Sequence, residues 1–449
     1  MKVMKFGGTS MGSPDAIVRC AAIVEREIKK SGQKPLVVVS AYSKVTDLLL
    51  DASAKAVKGD IDVPFAKIAH RHNEIVKGLN LPTELGQDLL YELEKLLIGI
   101  KMVREVTPRL YDYVASFGER LGARTFAAAL KARGHNSEAF DAYDLDFKTD
   151  SRFMNARPLP DTYDKINAAC KPHLAAGKIM VVTGFIAKDK NGDITTIGRS
   201  GSDYSASIFG AALKVDEIQV WKDVPGVMTC DPSLIPGAKP LPRLTFEEAS
   251  ELAYYGAEVL HPATIVPALK LGIPVRVQHT FNPDAEGTLI TPEGSLDNSH
   301  PVKCIVYKED QTLINVRSER MLGMEGFMAR LFSTFEKHRV VIDMISTSEV
   351  SVSMTTDLTD EQRLDELRAD LEEIAKVEIR PKKCLVAIVG EGQRHTIGLA
   401  ARAFKAVASA NVSLQMISQG ASEINVTFLI DNSEIPPAVK ALHKEFFGV

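Results

Sequence analysis

The sequence predicts an α/β protein with a largely parallel central sheet flanked by helices, followed by a smaller α+β region of tandem βαββ units. Two patterns carry that expectation. Up to about residue 290, short apolar β-branched runs alternate with longer stretches of helical periodicity, which is how strands and helices wind around a parallel sheet. Beyond it, Met344-Ile345-Ser346-Thr347-Ser348-Glu349-Val350-Ser351-Val352 is matched by Met416-Ile417-Ser418-Gln419-Gly420-Ala421-Ser422-Glu423-Ile424-Asn425-Val426, two residues longer but placed alike among its neighbours. That is an internal repeat. Size and composition agree: 449 residues, 45% hydrophobic and 25% charged, describe a folded chain of about three domains rather than a disordered or fibrous one.

In chain order, a very short apolar strand opens the sequence before Lys5. Leu36 to Val39 is a buried strand leaving through Ser40-Ala41, and Asp51 to Val106 is mostly helical and more charged. That charged stretch reads as a solvated helical pair, with an insertion or lid as the alternative. A helix runs from Asp112 to Arg133 and stops at Gly134. Ile179 to Val182 is the next strand, and Asn191-Gly192 reads as a hairpin turn joining it to Ile194–Ile197. A helix from Ser202 or Asp203 to about Leu213, a strand at Glu217–Trp221 and another at Pro274–Val277 complete the pattern.

Asn282-Pro283-Asp284, Gly287, Pro292, Gly294 and Pro301 crowd together as a connector does. The expected organisation is therefore a domain over 1–290, a connector over 291–311 and two modules over 312–384 and 385–449, which are open to interleaving. In the first module, strands are expected at Thr312–Val316, Val340–Met344 and Val350–Thr355, with a helix near Gly326–His338. The second repeats them at Leu385–Val389, Val412–Ile417 and Ile424–Ile430, with a helix at Gly398–Ala410.

A net charge of −4 leaves no global positive field for nucleic acid or an anionic membrane, so any anion is bound locally. The five cysteines are scattered and show no CxxC pair. Neither a zinc site nor a disulfide framework is expected, and small buried thiols in a reducing compartment are. With no apolar leader segment and no membrane span, a cytoplasmic protein is expected.

Four stretches could carry chemistry. Lys5-Phe6-Gly7-Gly8-Thr9-Ser10 reads as a plain turn or as a phosphate cradle, in which glycine amides and a mobile ammonium meet an anion. It is not a Walker A motif. Thr195-Thr196-Ile197-Gly198-Arg199-Ser200-Gly201-Ser202-Asp203-Tyr204 gathers glycines, hydroxyls, an arginine and a carboxylate at a helix start, where free amides favour an anion and Arg199 can grip a carboxylate at two points. Glu119 falls on a small-residue helical face and reads as a surface carboxylate or as the partner of a substrate ammonium. Trp221 to Pro232 reads as a loop or as the lining of a nucleotide base and ribose.

Taken together with Lys222-Asp223-Val224-Pro225-Gly226-Val227 and Tyr255-Gly256-Ala257-Glu258-Val259-Leu260-His261-Pro262, these segments resemble the aspartokinases of the amino-acid kinase family, in order and spacing, almost end to end. The resemblance implies an amino-acid kinase fold with C-terminal ACT-type, ferredoxin-like modules. It also implies transfer of the ATP γ-phosphoryl group to the side-chain carboxylate of L-aspartate, the first step towards lysine, threonine and methionine, with Mg²⁺ accompanying ATP and no dedicated metal cage.

By that resemblance Lys5 reaches the phosphates and Asp203 orients it. Phe6, Gly7, Gly8, Ser40, Lys222, Asp223, Met228, Ser233 and Glu258 belong to the ATP site, and Thr46, Glu119, Phe185, Arg199, Ser200, Gly201 and Ser202 to the aspartate site. Departures from the family pattern sit around the nucleotide: Lys222 stands where Thr is common, Met228 where Tyr is, Ser233 where Arg is and Glu258 where Lys is. A lysine effector site is implied at Met321, Met324, Gly326, Phe327, Met328, Val341, Ile342, Asp343, Ser348 and Glu349. A homodimer through the C-terminal modules is expected, with exchange to a tetramer, and no fused homoserine dehydrogenase. The alternatives are a kinase for another carboxylate such as glutamate, and a catalytically silent amino-acid sensor on the same scaffold.

Overall fold

The computed structural model describes residues 1–255, 262–293, 301–321, 325–420 and 424–448. These form two compact units. The first takes Met1–Val227, Pro240–Ala249 and residues 262–293, and the second takes Met228–Lys239, residues 250–255 and the described residues from 301 onwards.

The first unit contains β1 (Lys2–Phe6), α1 (Pro14–Ser31), β2 (Leu36–Val39), α2 (Val45–Val57), α3 (Asp62–Gly78), α4 (Gln87–Val103), α5 (Pro108–Ala132), β3 (Ser137–Phe140), α6 (Thr162–Ala175), β4 (Ile179–Thr183), β5 (Ile186–Lys188), β6 (Ile194–Thr196), α7 (Gly201–Leu213), β7 (Glu217–Lys222), β8 (Arg243–Thr245), the start of α8 (Phe246–Tyr254), α9 (Pro262–Leu271), β9 (Val275–His279) and β10 (Thr288–Thr291). Eight strands make one sheet in the order β3-β4-β2-β1-β7-β9-β10-β8. Every pairing is parallel except β9 with β10. Leu36–Val39 and Ile179–Thr183 are buried at every position, as strands covered by helices on both faces must be.

Met4, Phe6, Val37, Val39 and Val181 of the sheet pack with Ile17 and Val24 of α1 and with Phe117, Leu121 and Phe126 of α5. The charged stretch before residue 106 is three helices rather than a pair. Their apolar stripes, including Ile68, Ile75, Leu89, Leu93 and Leu97, join the same core, so the charge marks only their outer faces. The hairpin at Gly192 also differs from expectation, because it joins β6 to β5 and not to β4. A tight turn at Phe185 separates β4 from β5, a break that an apolar run does not reveal.

The second unit contains β11 (Cys304–Arg317), α10 (Phe327–Lys337), β12 (Ile345–Thr347), β13 (Ser351–Thr356), α11 (Glu361–Glu372), β14 (Lys376–Val389), α12 (Leu399–Ser409), β15 (Met416–Ser418), β16 (Asn425–Asp431) and α13 (Ile435–Phe447). They build a six-stranded sheet in the order β12-β13-β11-β14-β16-β15. The expected strand at Val340–Met344 is displaced to Ile345–Thr347, and each repeat gains a second helix, α11 or α13. β11 and β14 are long antiparallel strands that serve both modules. Residues 312–317 of β11 pair with β13, while 304–308 pair with 385–389 of β14.

Ile314 and Val316 accordingly lie in one core with α10 and α11, and Val302 and Ile305 in another with α12 and α13. The stretch expected as connector, 291–311, thus includes half of β11. The modules interleave because a strand buried on one face by two different helix pairs cannot be cut between them.

Gly287 enters β10 with φ +70°, and a Cβ there would sit 2.0 Å from the Val277 carbonyl oxygen of β9. Gly192 also has positive φ, +85°, but nothing within 4 Å of such a Cβ. Gly287→Ala is expected to lower unfolding stability by about 2–4 kcal/mol, combining left-handed strain with overpacking, and Gly192→Ala by about 1 kcal/mol. Urea unfolding of the two variants beside the parent chain checks the difference.

Candidate active site

The exits of three central strands converge. Phe6 of β1 is level with Val39 of β2 and Trp221 of β7, so Gly7-Gly8, Ser40 and Lys222 gather beyond the carboxyl ends, where open α/β sheets bind ligands. A cleft of about 720 Å³ opens there, lined by Lys5, Gly8, Ser40, Thr46, Glu119, Phe185, Arg199, Ser200, Gly201, Ser202, Asp203 and Lys222. A second cavity of similar size, about 750 Å³ between α4, α5 and the β5–β6 hairpin, holds none of the nominated residues. The cleft is therefore the candidate active site.

At its floor Asp203, in the first turn of α7, holds two ammonium groups. Lys5 Nζ lies 2.5 Å from Oδ1 and Lys222 Nζ 3.2 Å from Oδ2, with the Lys5 and Asp203 side chains 7% and 4% exposed. Burial pushes the Asp203 carboxyl up, but the two lysines outweigh it and hold it below its ordinary value. Burial lowers the Lys5 ammonium, opposed by Asp203. One carboxylate between two lysines leaves a net positive charge directed at the cleft.

Glu119 is not a surface residue. It is 3% exposed on α5, and its Oε1 accepts from the Ala41 amide at 3.1 Å. Burial pushes its carboxyl up to about 8. The glycines around it explain the approach: a Cβ at Gly118 would lie 2.7 Å from Ala41 Cβ, and one at Gly122 2.8 Å from the Ser40 carbonyl oxygen. Only a bare helix face lets the β2 exit come this close.

Opposite, Phe185 has φ +67° inside a three-residue turn closed by the Ile186 amide on the Gly184 carbonyl at 2.7 Å. The Phe185 amide donates to Ser205 Oγ at 3.0 Å. Left-handed backbone at a bulky residue is strained and persists at functional sites. Gly198 (φ +79°) and Ser200 (φ +57°) shape the next loop, with Arg199 exposed at the cleft rim. A Cβ at Gly201 would meet the Phe185 ring at 2.6 Å.

The other nominated residues fall as follows. Phe6 is core, its ring stacked on Trp221 at 6.2 Å. The Gly7 amide donates to the Trp221 carbonyl and the Gly201 amide to the Gly198 carbonyl, and Gly8, Gly201 and Ser202 line the cleft. Ser10, in the same opening motif, turns inward to Thr280 at 2.7 Å. Asp223 is exposed just past β7. Met228 and Ser233 belong to the second unit, where the Met228 carbonyl accepts from Cys304 Sγ and the Ser233 amide donates to Asp231. Glu258 and Met324 lie outside the described residues.

Of the residues expected at an effector site, Met321, Gly326, Phe327 and Met328 surround the start of α10, with Phe327 buried in the module core. Val341 is exposed, Ile342 half-buried and the Asp343 carboxylate buried. Ser348 and Glu349 form the β12–β13 turn, at the other end of β12 from Asp343.

Reasoning from sequence missed Asp112. Buried in α5, it accepts from the Met154 amide at 2.9 Å and from the Thr196 amide and Thr196 Oγ1, each at 2.8 Å. It ties α5 to the strand that leads into Arg199. A carboxylate near a helix start gives no sign in sequence that it faces inward.

The model of the amino acid kinase family matches residues 1–279, and that of the ACT domain matches 314–363 and 386–446. Chloroplastic aspartokinase 3 of Arabidopsis thaliana is 39% identical, across 99% of this chain and 81% of its own length. Lysine-sensitive aspartokinase 3 of Escherichia coli is 32% identical across 99% of each. The chain belongs to the aspartokinases. Among solved structures, E. coli aspartokinase III in complex with aspartate and ADP (R-state) aligns over the whole of both chains with a TM-score of 0.88 and 32% identity. The same enzyme with lysine and aspartate (T-state) aligns over 100% of this chain and 99% of its own, with a TM-score of 0.80 and 31% identity. In this aspartokinase framework Asp112 lines the cleft and fastens the strand that leads into Arg199. Asp112→Ala leaves two backbone amides without their acceptor and is expected to cost about 2–4 kcal/mol of stability, with Asp112→Asn milder. Denaturant unfolding alongside the KM for amino-acid substrate checks both effects.

Proposed function

We propose that this chain transfers the γ-phosphoryl group of ATP to the side-chain carboxylate of L-aspartate, giving 4-phospho-L-aspartate, under feedback by lysine. The observation that carries the reading is the single cleft joining the Lys5–Asp203–Lys222 cluster to Arg199 and Glu119. At neutral pH the β-carboxylate of aspartate is already ionised, so it needs no general base. Both oxygens of Asp203 are engaged by lysines, which suits an orienting carboxylate and not a base. The barrier is repulsion between two anions, and catalysis comes from positioning and from cations around the transferring group.

In this reading Lys5 and Lys222 face the phosphates, with the backbone of Gly8 and Ser202 as cradle and Ser40 at the strand exit. Gly7, at the β1 exit, and Asp223, just past β7, complete the ATP side. Arg199 grips the α-carboxylate, Glu119 takes the α-ammonium, and Thr46, Ser200, Gly201 and Ser202 line the rest, with Phe185 closing one wall. Mg²⁺ enters with ATP and is held chiefly by phosphate oxygens.

The effector is lysine, at the start of α10 and Asp343. The assembly is a homodimer through the C-terminal modules, exchanging with a tetramer, for which the half-exposed Ile345 and Ile417 are apolar side chains such a contact would cover. Free, buried cysteines suit a reducing compartment, the cytoplasm in this reading. No helix among the described residues is long and apolar enough to cross a membrane.

Trapping the acyl phosphate with hydroxylamine tests the reaction. Aspartate-dependent hydroxamate is expected, with Arg199→Ala lowering kcat/KM by at least about 100-fold. Product with glutamate alone would point to the other carboxylate kinase, and no product with any amino acid would point to the silent sensor.

Glu119 supplies a pH signature. Its folded-state carboxyl, raised to about 8, makes the empty protein lose stability as pH climbs from the ordinary glutamate value towards 8, because the folded state holds the proton longer. An arriving ammonium favours the ionised form. Aspartate binding at pH 7 should therefore release a proton, and affinity should rise between about pH 6.5 and 8.5. Calorimetry in two buffers of different protonation enthalpy reads the release, which Glu119→Gln should abolish. Proton uptake by the parent chain would refute the assignment.

A further inference from the structure

The Asp343 carboxylate is already paired by the chain itself. Its side chain is 3% exposed, and Lys308 Nζ lies 2.6 Å from Oδ2. The Tyr254 hydroxyl donates to Oδ1 at 2.7 Å. The Lys308 ammonium also lies 5.3 Å from the centre of the Tyr254 ring, so aromatic face and carboxylate together form a pocket for one cation. Asp343 is fixed from behind, its amide donating to the Thr355 carbonyl at 2.8 Å. Lys308 projects from β11 on a flexible four-carbon stem and is 23% exposed.

We propose that Lys308 is a tethered competitor for the effector, occupying the position on Asp343 that a free amino acid's ammonium takes. The inference rests on the reading of Asp343 as part of a lysine site. Unlike Asp203, whose two oxygens each hold an ammonium, Asp343 gives one oxygen to the Tyr254 hydroxyl and the other to Lys308, which leaves no oxygen for a second cation. An arriving ammonium therefore displaces Lys308, whose partly exposed head moves into water. Because Lys308 is attached, its effective concentration at Asp343 does not fall on dilution. The apparent affinity for effector is then reduced by the fraction of molecules in which Asp343 is free. Lys308 also sets specificity, since a ligand that offers Asp343 no cation gains nothing by displacing it.

Calorimetric titration of the full chain with L-lysine tests this, on the parent, Lys308→Met, Lys308→Arg and Asp343→Asn, each shown folded by its thermal unfolding curve. Removing the competitor should tighten lysine binding by about tenfold or more. Arginine should weaken it, because its planar fork can hold the carboxylate at two points. Asp343→Asn should lose binding. If the parent binds lysine and Lys308→Met binds it equally or more weakly, the competition is overturned while the effector site stands. If Lys308→Met does not fold, the arginine variant decides: binding as tight as in the parent overturns the proposal. Lysine binding that Asp343→Asn leaves intact, or no binding in any variant, removes the effector reading of Asp343 and this inference with it.

Discussion

One buried carboxylate between two lysines organises the first unit. Asp203 stands in the first turn of α7, where the helix dipole favours negative charge, while Lys5 and Lys222 project from adjacent parallel strands. Burying three charges is costly unless each is paired. The arrangement holds because β1 and β7 are locked in register and α7 starts opposite their ends. The excess positive charge is what a phosphoryl group needs, so the same electrostatics constrain the fold and prepare the cleft.

The substrate side depends on close packing more than on charge. Gly118 and Gly122 strip the face of α5 so that Ser40 and Ala41 can lie against it, and this carries Glu119 inward to the Ala41 amide. On the opposite wall Gly201 makes room for the Phe185 ring. Asp112 then fastens the strand before Arg199 to the helix that bears Glu119. The groups proposed to hold the α-carboxylate and the α-ammonium of the amino acid are thus tied by one helix.

The second unit joins two modules through shared strands. β11 and β14 each contribute to both cores, so neither module is a separable bead. Asp343 sits where the coil before β12 meets β13, and its buried carboxylate requires a cation. In this structure the chain supplies one from β11, a strand common to both modules.

Much of this was legible in the sequence. The parallel strands, α5, α7 and the repeated modules follow from period and from runs of β-branched residues, because burial on one face or two writes a pattern into neighbouring positions. The clustering of glycines with Lys5, Arg199 and Asp203 likewise pointed to a cleft that handles anions. Tertiary structure alone decided whether a polar residue faces inward. Glu119 and Asp112 look like ordinary helical carboxylates until glycines and a returning strand enclose them, and Ser10, in a motif that suggests anion binding, turns into the core. Lys308 and Asp343 are 35 residues apart, and no local pattern links them. Periodicity records which face of an element is buried, but which polar groups meet across elements depends on register and close approach, and these exist only once the chain has folded.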